Sequence, residues 1–231
     1  MGRLAVILGS SAAGPGGGEV AAAAQRHDAV VLQRHGDSPR EATAGEGYVL
    51  PHRIDHAANL CSLAEAGCDR VLAICSVGSL DPELAVGSFV CPHDFIALQV
   101  ALTVFDDVRG HATAGFDPGW RTEVLAAWQT SRAGTLRDGG IYWQTNGPRF
   151  ETPAEIALIA SHADVVGMTL ASECVIAAEL GLPYAAICVV DNLANGIAAE
   201  PLTPTEVEGH RERNAARLAA ALDAALPGLS R

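Results

Sequence analysis

The sequence contains no lysine; all 15 of its Lys and Arg residues are arginine. That absence excludes chemistry built on a lysine amine, whether a Schiff base or a P-loop. Six cysteines are present (Cys61, Cys68, Cys75, Cys91, Cys174, Cys188), but no two stand in CxxC spacing. Scattered among apolar neighbours, they read as small buried thiols in a reducing compartment. No apolar stretch reaches about 18 residues without a charge or a break, so no membrane span is expected. The apolar run after Arg3 is too short for the core of a signal peptide, and a cytoplasmic protein is expected. Gly14–Gly18 supplies glycines, but no GxGxxG opens a helix there with a ribose-binding acid in place. His52 and His56 stand four apart with no third ligand in sight, so no metal is expected. Positive charge is scarce overall: the formal net charge is −12. Phosphate backbones should repel such a chain, which argues against a nucleic-acid partner. A small anionic substrate would need a local cationic pocket.

What is present is a chain of 231 residues, 49% of them hydrophobic and 18% charged. That suits one large domain, 1–231, better than two small ones. Apolar runs at Leu4–Leu8, Ala29–Gln33, Val71–Cys75, Ser88–Cys91, Gly140–Gln144, Val165–Met168 and Tyr184–Val190 read as strands. Helical spacing marks Arg53–Ala66, Pro118–Ala133, Pro153–His162, Ser172–Gly181 and Pro204–Leu226. Gly67 and Gly181 stand where C-caps belong. Asp37–Gly47 is polar and reads as a loop. Strands alternate with helices and several are continuously apolar. The expected fold is therefore α/β, with a central mixed sheet flanked by helices.

Open α/β sheets bind ligands beyond the carboxyl ends of their strands. Those ends give Gly9-Ser10-Ser11, Arg34-His35-Gly36, Ser76-Val77-Gly78-Ser79, Thr145–Glu151, Met168-Thr169 and Asp191-Asn192. Hydroxyls, an arginine, a histidine and glycine-freed amides thus collect at one edge. A dianion needs that set: amide and hydroxyl donors plus a guanidinium fork. Taken singly, each piece has a structural reading too. Ser10-Ser11 can be a turn or N-cap. Arg34 can be a surface charge, Glu151 a carboxylate at a helix N-terminus, and Asn192 a turn residue. Asp191 can be a strand-end carboxylate accepting backbone bonds.

The joint pattern resembles a known family. Gly147-Pro148-Arg149-Phe150-Glu151-Thr152-Pro153-Ala154-Glu155 is similar to the purine-loop motif of trimeric purine nucleoside phosphorylases, as is Gly167-Met168-Thr169 followed by Glu173. Arg34-His35-Gly36 and Ala58-Asn59-Leu60 resemble the methylthioadenosine phosphorylase branch. Leu182–Ala185 with Asp191–Gly196 is closest to the methylthioinosine type. The resemblance runs from about residue 4 to 220. It implies phosphorolysis of a purine nucleoside, with inorganic phosphate as co-substrate, no cofactor, and a homotrimer. Ser10, Arg34, His35, Ser76 (through its amide) and Thr169 would bind phosphate. Met168 would lie under the ribose and Phe150 near the base. Val77, Gly78 and Asp191 fall on the base and sugar side. Glu151 and Asn192 match the pair that reads a 6-oxopurine, with Glu151, Asn192, Arg34 and His35 as the catalytic set.

The chemistry agrees. Phosphorolysis passes through a ribosyl-cation-like state, so rate comes from stabilising charge on the departing purine and holding phosphate below C1′. An amide can donate to N7 as the base leaves, and a carboxylate can accept from N1–H, which a 6-aminopurine lacks. Adenine-specific relatives usually carry Asp where this chain has Asn192. A one-residue shift of the alignment would bring Asp191 to the base instead. Methylthioadenosine phosphorolysis, or hydrolysis of a nucleoside on the same fold, is the alternative reaction; a binding module without catalysis is a further one. At the sugar 5′ end the family's histidine is missing from Leu202-Thr203-Pro204-Thr205, and the next is His210. An apolar 5′ pocket is expected, unless His56 or Tyr48 binds the hydroxyl. Phe105 and His111 are candidates for reaching a neighbouring subunit's site.

Overall fold

Strand β1 (Arg3–Leu8) sets the logic of the fold. Its side chains alternate: Leu4, Val6 and Leu8 enter one buried cluster and Ala5 and Ile7 another. A strand covered on both faces needs apolar residues at every position, which is why its sequence reads as an unbroken apolar run. The structure is a computed structural model that describes residues 2–10, 17–36, 48–131, 134–198 and 204–230.

After β1 come α1 (Gly17–Arg26), β2 (Val30–Gln33), α2 (His56–Glu65), β3 (Cys68–Ser79), β4 (Phe89–Cys91), β5 (Asp94–Ile96), α3 (Pro118–Ser131), β6 (Leu136–Asp138) and β7 (Ile141–Gln144). Then follow α4 (Pro153–Ile159), β8 (Val165–Gly167), α5 (Leu170–Glu179), β9 (Tyr184–Leu193) and α6 (Pro204–Leu229). The nine strands form one mixed sheet in the order β5-β7-β8-β3-β9-β4-β6, with β1 against β3 and β2 against β1. Most pairs are parallel; β3–β8 and β4–β9 are antiparallel. Helices α1, α3 and α6 cover one face, while α2 and α5 pack on the other. The described residues thus build an α/β fold with a mixed sheet flanked by helices, as expected. None of the helices among them is long and apolar enough to cross a membrane.

The local signals explain most boundaries. Asp55 caps α2, its carboxylate accepting from the Ala58 amide at 2.9 Å. Helix α2 therefore starts at His56 rather than Arg53, and Pro51–Arg53 forms a separate 3-10 turn. His52 and His56 consequently do not share a helix face. Thr152 and Glu155 close a capping box around Pro153 at the start of α4.

Three differences bear on the site. Strand β3 does not stop at Cys75 but runs on through Ser76–Ser79, and β9 runs on through Asp191–Leu193. These polar ends stay paired across a bulge at Val77/Gly78, so the motifs lie on the strands rather than after them. Helix α5 begins at Leu170, two residues before the expected Ser172. Helix α1 and the short strands β5 and β6 gave no separate sequence signal. The expected Asp37–Gly47 loop and Gly14–Pro15–Gly16 lie outside the described residues.

Candidate active site

A cavity of about 650 Å³ opens where β1, β2, β3, β8 and β9 end. It is large enough for a nucleoside and a small anion. Ser10, Arg34, His35, Ser76 and Thr169 border it. So do Val77, Gly78, Met168, Phe150, Glu151 and Asn192.

The first group converges around Arg34, which is 1% exposed. Its Nε donates to Glu173 Oε1 at 2.5 Å, its Nη2 to Glu173 Oε2 at 2.9 Å and its Nη1 to the Ile74 carbonyl at 3.1 Å. A guanidinium has five N–H donors, so two remain for a ligand. Gly9 lets it approach: a Cβ there would fall 2.4 Å from Nη1. Tyr184 donates its hydroxyl to Glu173 Oε2 at 2.6 Å. Burial works to raise the Glu173 carboxyl pKa, but the Arg34 charge outweighs it and holds the group below its ordinary value. The pair is thus ionised and internally neutral.

His35 donates from Nδ1 to the Val49 carbonyl at 2.7 Å, since a carbonyl can only accept. The neutral ring then carries a lone pair on Nε2. Burial, reinforced by the Arg34 charge, pushes the imidazole down to about 4 against the raising effect of the Val49 bond. Tyr48 stacks on the ring with centroids 4.5 Å apart.

Thr169 is the N-cap of α5, yet its side chain makes no capping bond. Strand β7 caps the helix instead. Tyr142 Oη accepts from the Thr169 and Leu170 amides at 3.1 and 3.4 Å. Gln144 Oε1 accepts from those of Ala171 and Ser172 at 2.8 and 3.2 Å. The first-turn donors of α5 are therefore satisfied from a neighbouring strand, and the Thr169 hydroxyl is left for the cavity. Its contact is Cys75 Sγ at 3.7 Å.

The second group gathers around Glu151, which is 8% exposed. Its Oε1 accepts from Thr145 Oγ1 at 2.5 Å, and its backbone carbonyl accepts from Asn195 Nδ2 at 2.8 Å. Arg149 does not neutralise it, because both its terminal nitrogens bind Glu155 at 2.7 and 2.8 Å. Asn192 donates from Nδ2 to the Leu193 carbonyl at 2.8 Å and keeps a second N–H. Gly78 leaves room beside that amide: a Cβ there would lie 3.5 Å from Nδ2. Between the groups, Met168 packs against Gly147, whose φ of +62° and missing Cβ admit the thioether. Phe150 is 67% exposed at the rim.

Several expectations need correction. Asp191 does not border the cavity: it is fully buried, accepting from Asn214 Nδ2 at 2.8 Å and from the Ser76 hydroxyl. Asp191 is the residue of β9 left unpaired at the bulge; its carboxylate turns to Asn214 and Ser76, while Asn192 borders the cavity, so only Asn192 is placed to meet a ligand. Ser76 accordingly commits its hydroxyl proton to Asp191. His56 is buried away from the cavity walls, 3.9 Å from Glu173 Oε1, which removes it as a reader of the sugar, while Tyr48 borders the cavity. His210 is not among the residues lining it, and Leu202 and Thr203 lie outside the described residues. Among the described residues no group of His, Cys, Asp and Glu could hold a metal. No sequence signal marks Thr145, Tyr142, Gln144 or Asn195 as partners: Tyr142 and Gln144 reach α5 from β7, and Thr145 and Asn195 reach Glu151 from two separate loops.

The family model for the phosphorylase superfamily matches residues 12–227. The chain belongs to the phosphorylase superfamily. Within it, the probable 6-oxopurine nucleoside phosphorylase of Archaeoglobus fulgidus is 40% identical over 191 residues, covering 81% of this chain and 74% of that protein. The probable S-methyl-5'-thioinosine phosphorylase of Methanocaldococcus jannaschii is 36% identical over 188 residues, covering 79% and 71%. Among solved structures of the superfamily, methylthioadenosine phosphorylase from Schistosoma mansoni in complex with adenine superposes with a TM-score of 0.76 at 22% identity, covering 98% of this chain and 91% of that one. That likeness establishes the shared fold.

Proposed function

We propose that this protein splits the N-glycosidic bond of a 6-oxopurine nucleoside with inorganic phosphate, releasing the free base and a sugar 1-phosphate. The observation that carries this reading is the joining of two unlike polar groups in one cavity. One is the set around Arg34, His35 and Thr169; the other is Glu151 with Asn192.

Phosphate binds at the first set. Because Glu173 cancels the Arg34 charge, the anion is held by oriented donors rather than by net charge. These are the spare guanidinium N–H groups and the hydroxyls of Ser10 and Thr169. The phosphate ion carries a proton at neutral pH, and the Nε2 lone pair of His35 accepts a hydrogen bond from that P–OH; the purine anion takes up the proton as the base departs. A phosphate oxygen then forms a bond to C1′ as the C1′–N9 bond breaks and its electron pair passes into the purine. Asn192 donates to N7, where that charge collects, and Glu151 accepts from N1–H. Met168 packs under the ribose and Phe150 shields the base at the rim. A Glu–Asn pair suits a 6-oxopurine, and the names of the relatives above, 6-oxopurine and thioinosine phosphorylases, point the same way. The sugar carries a 5′-hydroxyl, a deoxy or a methylthio group.

The enzyme acts as a homotrimer in the cytoplasm, a reading supported by family resemblance and by six free cysteines, five of them buried. The test is turnover of inosine and 5′-methylthioinosine with and without phosphate. Phosphate-dependent release of hypoxanthine is expected. Equal rates in both conditions would replace phosphorolysis by hydrolysis.

A further inference from the structure

Glu151 is the one carboxylate bordering the cavity among the described residues. It has no ion-pair partner among them, because Arg149 is turned to Glu155. Its orientation rests on two neutral donors from separate elements. Thr145, the residue after β7, donates its hydroxyl to Oε1 at 2.5 Å. Asn195, after β9, holds the backbone carbonyl at 2.8 Å. A carboxylate on a two-methylene stem, anchored at its main chain and at one oxygen, is restrained, and Thr145 leaves Oε2 available to a ligand.

We propose that Thr145 is a positioning residue for base recognition, holding Glu151 aimed so that Oε2 meets the N1–H of a 6-oxopurine. This rests on the proposed role of Glu151 and extends it to a residue outside the ligand's reach. The hydroxyl gives Oε1 its donor and restrains the terminal torsion, which is otherwise broad. With Oε1 taken, Oε2 is the acceptor offered to the base, and a 6-aminopurine has no N1–H to meet it. The selectivity for 6-oxo over 6-amino bases therefore depends on the hydroxyl of Thr145 as well as on Glu151 and Asn192.

The test compares wild type, Thr145→Val and Thr145→Ser. Val keeps the shape and loses the donor, while Ser keeps the donor. Hypoxanthine and adenine binding is measured by titration calorimetry, and phosphorolysis of inosine by steady-state kcat and KM. With Val, hypoxanthine affinity should fall about tenfold, the scale of a hydrogen bond to a charged group. The hypoxanthine-to-adenine ratio should narrow. The KM for phosphate should stay within about twofold, because the donor lies outside the anion set; a loss of fold would move both constants. Ser should restore the ratio. A Val variant with wild-type selectivity, or a Ser variant as impaired as Val, overturns the proposal. Wild type that binds hypoxanthine but does not need phosphate would sink the reaction and leave the role of Thr145 measurable by binding. Wild type that fails to bind hypoxanthine would sink both.

Discussion

Arg34 and Glu173 meet edge to edge in the interior, with Nε–Oε1 at 2.5 Å and Nη2–Oε2 at 2.9 Å and each side chain 1% exposed. Removing one partner strands a buried charge, whereas replacing both by apolar residues avoids that penalty. Arg34→Met should therefore cost about 3–5 kcal/mol of stability. The double variant Arg34→Met/Glu173→Met should recover most of it. Neither should show a saturable phosphate dependence, because the guanidinium is gone from both. Denaturant unfolding and initial rates against phosphate check this. A double variant that regained phosphate saturation would remove Arg34 from the anion site.

His35 and His56 are both held down to about 4, in each case first by burial. The Arg34 charge lowers both further, while Glu173 opposes it. In the unfolded chain both rings titrate near the ordinary value of about 6.5. Between the two values the unfolded state binds more protons, so stability falls as pH drops from about 6.5 to 4. Each ring accounts for up to about 3 kcal/mol of that loss. Glu173, depressed by Arg34, adds loss in the same direction at lower pH. His56→Gln should flatten the fall in unfolding free energy measured from pH 7 to 4.5, since His56 faces Glu173, Arg34 and Asp55 but not the ligand. A slope identical to wild type would mean the ring is charged in the folded state.

The legible parts of this molecule were local. The apolar run of β1 and the capping residues of α4 announce themselves within a few positions. The Gly147–Glu155 motif and the Arg34-His35 pair stood out because glycine and charge interrupt apolar patterns. What could not be read was pairing across the sheet. Arg34 and Glu173 are 139 residues apart, and no periodicity links them. The cap of α5 is borrowed from Tyr142 and Gln144, so Thr169 carries a cap's identity without a cap's bond. The polar ends of β3 and β9 look like turn sequences, yet pairing between the two strands keeps them extended. Asp191 and Asn192 are adjacent in sequence, and the bulge in the β3–β9 pairing, which no local pattern announces, decides which one borders the cavity.

Gly147 has φ +62°, and a Cβ there would fall 2.6 Å from Met168 Sδ and 3.5 Å from Pro51 Cβ. Gly147→Ala therefore meets two obstacles: the left-handed backbone, costing about 1–2 kcal/mol, and a displaced Met168. Because Met168 borders the cavity, kcat/KM for the nucleoside should fall more than stability alone accounts for. Steady-state kinetics well below the melting temperature separate the two effects. An alanine variant with unchanged kcat/KM would show that Met168 has no part in holding the sugar.

Asn192 and Asp191 give the sharpest contrast. Asn192→Asp replaces an N–H donor beside the base by a carboxylate that shares the cavity with Glu151. Loss of one preorganised donor costs about 100-fold or more in rate. Turnover of inosine should drop by that order, while a 6-aminopurine nucleoside, whose exocyclic amino group can donate to the new carboxylate, should lose less. Asp191→Asn changes a group that is fully buried and bonded to Asn214 and Ser76. It should lower the melting temperature and leave the ratio of inosine to adenosine turnover where it was. Both ratios come from one competition assay with the two nucleosides mixed. If Asp191→Asn moves the ratio and Asn192→Asp does not, β9 lies one residue out of the register described, and the base is read by the other face of the strand.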